Sequence, residues 1–79
     1  MKTINFRFAD NEYWSAQITI NSNLFFEADR LDAAAYALIS HGFNSPDVWR
    51  RFAEAKTVER AQRKVAYQDW MRIRRALEE

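Results

Sequence analysis

His41 is the one side chain in this 79-residue sequence whose ordinary titration falls near neutral pH. A single imidazole does not make a structural zinc site, and no nearby carboxylate cluster completes one. At the end of a helical stretch, a histidine serves as a hydrogen-bonding or cationic partner for the last carbonyls. Ser15, Ser22, Ser40 and Ser45 lack the base that would activate a hydroxyl; Ser40 stands beside His41 only in sequence. Glu27, Asp29 and Asp32 are the closest acidic group, and the two aspartates are explained by helix entry better than by acid–base work or a bound cation. With Gly42 as its one glycine, the chain has no loop that could cradle phosphate. The residue types therefore predict a non-enzyme that needs no cofactor and no metal.

The basic residues are the second possible source of function. Residues 1–45 carry three bases and five acids, a balance of −2; residues 46–79 carry nine bases and six acids, a balance of +3. Arg50, Arg51, Arg60 and Lys64 are candidate nucleic-acid contacts, and a Ser-Pro-Asp helix start could present backbone N–H groups to phosphate. Acids interleave with these bases, however, and Glu59–Arg63 and Arg74–Glu78 have the i,i+4 spacing of an ordinary solvated helix face. Arginine beside aromatic side chains is the commoner composition of a protein interface. The preferred contact surface is Arg63, Tyr67, Met71, Arg74 and Arg75, which could also close a symmetric homodimer.

These residues need elements to position them. Thr3 to Ala9 alternates apolar and polar, with Ile4, Phe6 and Phe8 on one side, and Tyr13 to Ile20 alternates again, with Trp14, Ala16, Ile18 and Ile20 on one side. Separated by Asp10 and Asn11, the two runs predict an antiparallel hairpin. Asn21-Ser22-Asn23 reads as a further turn, and Leu24 to Ala28 as a third strand or as the preamble to a helix. Asp29 reads as the N-cap of a helix over 29–42 with Gly42 as its left-handed terminator. Ser45-Pro46-Asp47 is a strong start for a helix over 45–56. Val58, Ala61, Val65, Ala66, Trp70, Ile73 and Leu77 recur at near-helical spacing and predict a third helix over 57–79, with a bend near Lys56–Thr57.

The predicted fold class is accordingly α+β: a single domain, 1–79, with a two- or three-stranded β-meander over 1–28 packed against three helices. Twelve aromatic rings and 48% apolar residues argue against disorder. No cysteine is present, which fits a reducing compartment, and neither a signal-peptide core nor a membrane-spanning run is evident, so a cytoplasmic protein is expected. The functional expectation is a small protein-interaction module, an adaptor or stoichiometric inhibitor, with a nucleic-acid-binding accessory protein as the alternative. In size and style alone the chain is similar to small cysteine-free proteins encoded by phages and mobile elements, including inhibitors of host defence complexes; that likeness carries no residue with it.

Overall fold

The computed structural model describes residues 8–40, 42 and 45–78. Its elements are two helices, α1 (Phe8–Ala37) and α2 (Pro46–Leu77), of 30 and 32 residues. At a rise of about 1.5 Å per residue each runs to roughly 45–48 Å. They lie antiparallel: contacts rising along α1 descend along α2, from Gln17–Arg72 through Asn21–Ala66 and Asp32–Lys56 to Tyr36–Phe52.

The packing surface follows a coiled-coil spacing. In α1, Trp14, Gln17, Asn21, Leu24, Ala28, Leu31 and Ala35 are separated by alternating steps of three and four, and all are buried or half-buried. In α2 the same holds for Val48, Phe52, Ala55, Glu59, Gln62, Ala66, Asp69, Ile73 and Ala76. The fully buried apolar side chains among the described residues are Ala28, Ala35, Ala66 and Ile73. Three of these four are alanine, so the helices approach closely and little apolar volume lies between them.

The α+β expectation is corrected. The described residues contain no strand, and the run read as a second strand, Tyr13 to Ile20, lies inside α1. Its alternation is real but coincides with a heptad seam whose next members, Gln17 and Asn21, are polar and so mask the helical period. No glycine or proline interrupts residues 8–37. The β-branched Ile18, Thr19 and Ile20 cost a helix only a few tenths of a kcal/mol each, and Thr19 turns its hydroxyl back to donate to the Ser15 carbonyl at 3.1 Å. The third strand over Leu24 to Ala28 is also helical. Of the first predicted strand, Thr3 to Arg7 lies outside the described residues, while Phe8 and Ala9 open α1.

Asn21 to Asn23 make no turn. Asn21 is buried, and its amide donates to the Ala66 carbonyl at 2.9 Å and to Asp69 Oδ2 at 3.1 Å. Asp29, predicted to cap a helix, sits in the middle of one. The expected bend at Lys56–Thr57 is absent: Thr57 donates its hydroxyl to the Ala53 carbonyl at 3.0 Å instead of capping, and α2 is continuous. An elongated pair of helices removes the need for that bend. The radius of gyration is 17.9 Å, against about 12 Å for a compact chain of this length, so the second half need not fold back.

The connection is built as the local chemistry requires. After Ala37 the chain tightens through N–H bonds from Leu38 to Ala35 and from Ile39 to Tyr36, and the Gly42 N–H reaches the Ile39 carbonyl at 2.9 Å. Gly42 has φ 100°, open to glycine at little cost, though α1 has ended five residues earlier. His41, with its predicted role at a helix end, lies outside the described residues. At the start of α2, Ser45 is extended and its hydroxyl accepts from the Val48 N–H at 3.2 Å, with Pro46 and Asp47 in the first turn. This start is as predicted.

Candidate functional site

Between the helices runs a ladder of polar groups. Arg72 donates to Gln17 Oε1 at 2.7 Å and is held by Asp69 at 2.9 Å. Gln62 donates to the Leu24 carbonyl at 3.3 Å. Toward the connection, Glu59 lies buried between two cations, accepting from Arg63 Nε at 2.7 Å and from Lys56 Nζ at 2.9 Å. Each cation also reaches across to α1, Arg63 to Asp29 at 3.0 Å and Lys56 to Asp32. Among the described residues no buried side-chain nitrogen or oxygen lacks a partner. These interactions are what Glu59, Asp29 and Asp32 do. Of the acidic group Glu27, Asp29 and Asp32, Glu27 pairs with Arg30, Asp29 with Arg63 and Asp32 with Lys56, and among the described residues no set of three or more metal-ligating side chains is placed to hold an ion.

The network shifts its members in opposite directions. Hydrogen bonds from Arg63 and then Lys56 hold the Glu59 carboxyl below its ordinary value of 4.5. Hydrogen bonds to Asp32 and then Glu59 hold the Lys56 ammonium above its ordinary 10.5. A carboxylate depressed on folding contributes stability above its unfolded pKa and loses it as pH falls through the folded one. A raised ammonium contributes below its unfolded pKa and loses it as pH rises through the folded one. The urea midpoint is therefore expected to stay level across neutral pH and to fall as pH drops below about 4.5. Glu59→Gln should shrink that acid-side loss relative to wild type; an unchanged acid limb would show that Glu59 is not the group responsible.

Beside the seam, α2 carries a second stripe with the same heptad spacing: Trp49, Ala53, Lys56, Arg60, Arg63, Tyr67, Trp70 and Arg74. Aromatic and cationic residues share this face. Tyr67 is 58% exposed and Trp49 55%. At the connection end the stripe borders a groove of about 410 Å³ lined by Pro46, Trp49, Phe52, Ala53, Lys56 and Arg60, among others. Its floor is organised by stacking of Trp49 on Phe52, centroids 5.6 Å apart, and by an edge contact of Phe52 with Tyr36 at 5.2 Å. The Lys56 ammonium sits 5.1 Å from the Tyr36 ring.

Of the predicted interaction residues, Arg63, Tyr67, Met71 and Arg75 form one i,i+4 ridge along α2, with Arg74 beside it. Arg63 is partly committed to Glu59 and Asp29, Arg74 pairs with Glu78 at 2.8 Å, and Arg75 reaches the Met71 carbonyl at 3.4 Å. Tyr67 is exposed and Met71 half-buried. Of the four predicted nucleic-acid residues, Arg50 and Arg60 line one groove and Lys64 is one turn from Arg60, while Arg51 stands apart. Arg51 and Arg60 are nine positions apart, which sets them on opposite sides of a helix, and Arg50 and Arg51 both pair with Asp47. Val58 and Val65, expected to face a core, are 56% and 51% exposed. Sequence reading did not identify the groove; the step pattern from Trp49 through Ala53, Lys56 and Arg60 to Tyr67 is the signal in the sequence that marks its stripe.

No helix of the described residues is long and apolar enough to cross a membrane. No known protein family, curated protein or solved structure matches the chain.

Proposed function

We propose that the chain is a non-catalytic protein-interaction module, an adaptor or stoichiometric inhibitor, that presents the aromatic and cationic stripe of α2 to a partner protein. The observation carrying this reading is the exposure of Tyr67 and Trp70, 58% and 36%, on the same face as Arg60, Arg63 and Arg74. Aromatic rings and arginines are the side chains that anchor interfaces most often. The partner that fits is a helix or peptide with apolar anchors and an acidic margin, because residues 46–79 carry the positive balance of the chain. Nucleic-acid binding is less well supported, since Asp47 pairs with Arg50 and Arg51, two of the four bases that would contact phosphate.

The test is a photo-crosslinking residue placed at Tyr67, compared with one at exposed Gln68, in an extract of the source cells. The expected result is a discrete adduct with another protein at position 67, resistant to nuclease and weak or absent at position 68. Excess unmodified chain should compete it away, whereas a Tyr67→Glu/Arg74→Glu competitor should not. Equal adducts at both positions, no adduct, or an adduct removed by nuclease would overturn the reading.

A further inference from the structure

At the groove near the connection, α2 holds two cations that nothing in the described chain neutralises. Arg60 lines the groove, and Lys64 stands one helical turn further on. Both are exposed, and among the described residues neither meets a carboxylate. Like charges four residues apart on one helix repel, so this pair weakens α2 slightly, and an anion set beside it reverses the sign. The other two cations of the groove are engaged: Arg50 binds Asp47 at 2.6 Å, and Lys56 is held by Asp32 and Glu59.

The acids of the neighbourhood do not fill this gap. Asp47 is taken by Arg50 and Arg51, and Glu59 lies in the seam between Lys56 and Arg63. From α1, Asp29 and Asp32 are bound to Arg63 and Lys56. Glu54 follows Ala53 by one position, which turns it about 100° around the helix from that wall of the groove. No carboxylate is among the residues that line the groove.

The rest of the wall is apolar: Pro46, Trp49, Phe52 and Ala53. Its rings are ordered, Trp49 stacked on Phe52 with their planes 5° apart, and rings pack favourably against rings. The volume of about 410 Å³ is that of a small ligand pocket.

We propose that this groove receives an aromatic side chain of the partner protein together with a carboxylate next to it. The ring lies against Pro46, Trp49 and Phe52, and the carboxylate meets Arg60 and Lys64. The proposal rests on the reading of the chain as an interaction module and names the chemistry of one anchor on the partner. A carboxylate alone would leave the apolar wall unused, and a neutral ring would leave the two cations unanswered.

The probes are N-acetyl-phenylalanine, which joins a ring to a carboxylate, N-acetyl-phenylalaninamide, which keeps the ring without the charge, and acetate, which has no ring. Each is titrated into the full chain labelled with 15N. N-acetyl-phenylalanine should give saturable shifts at the Trp49 indole N–H and at the amides of Ala53, Thr57 and Arg60, with an affinity about threefold above that of the amide. Acetate should give no saturable shift. In Arg60→Gln/Lys64→Gln, which keeps helix propensity nearly unchanged, the acid and the amide should bind equally. The proposal would be overturned by the absence of saturation with N-acetyl-phenylalanine, by equal affinities for acid and amide in wild type, or by a preference that survives the double substitution. Tighter binding of thymidine 5′-monophosphate at the same residues would assign the groove to nucleic acid and overturn it too. None of these titrations reads the adduct at Tyr67, so the failure of this proposal and the failure of the interaction reading are seen separately.

Discussion

Ile73→Ala is expected to lower the unfolding free energy by about 2–5 kcal/mol, the usual cost of removing a large buried aliphatic side chain. Ile73 is the largest fully buried side chain among the described residues; the others that reach zero exposure are alanines. It sits on α2 next to Arg72, which binds Gln17 and lies over the Trp14 ring at 6.0 Å, so it anchors the end of the hairpin far from the connection. Ile73→Val should cost about 0.5–1.5 kcal/mol, and the exposed Gln68→Ala should stay within about 0.5 kcal/mol. The measurement is the urea midpoint at one fixed protein concentration, because self-association would make stability concentration-dependent. An Ile73→Ala midpoint equal to that of Gln68→Ala would show that the end of the hairpin contributes nothing to cooperative folding.

Ala28→Leu should also destabilise, by about 1–3 kcal/mol, through overpacking rather than through a void. Ala28 has no exposed surface and faces the part of α2 that carries Glu59, the residue pinned by Lys56 and Arg63. A leucine there must push the helices apart or displace the Glu59 network, and either movement lengthens the Asp29–Arg63 and Asp32–Lys56 contacts. Leucine is nearly as good a helix former as alanine, so propensity does not explain the loss. Ala28→Gly separates the causes: it relieves crowding and carries a helix-propensity cost of about 1 kcal/mol. Denaturation midpoints of the two variants together with wild type decide the matter. A leucine variant more stable than wild type would mean that the seam has room at Ala28 and that close approach does not set its width.

The two halves of the chain differ in how plainly their sequences declare a helix. Ser45-Pro46-Asp47 combines a hydroxyl that can accept from an N–H, a ring that presets φ and a carboxylate near the positive end of the dipole, so the start of α2 could be placed from sequence. The helical character of the segment that carries Arg63, Tyr67, Met71, Arg74 and Arg75 was also legible, because it needs only local periodicity. The first half misled because its apolar residues surround the helix instead of clustering on one side. Trp14, Ala16, Ile18 and Ile20 mimic alternation when written in a line, and Asn21 resembles a turn residue until a carbonyl and a carboxylate from α2 meet its amide.

The sequence by itself determined the helical character of the second half of the chain, from Ser45-Pro46-Asp47 onward, while its alternation pointed the first half toward strands. It contains one glycine and one proline, both between residues 42 and 46, and its local rules act over a few residues. Only the tertiary structure decided which faces meet. Burial of Asn21 and Glu59 depends on partners 45 residues away for Asn21 and on cations that also reach the other helix for Glu59. With those polar groups satisfied in the seam, Ile20, Val58, Val65 and Tyr67 are left outside it. That partition follows from the register of two helices, a property of the pair that neither segment carries alone.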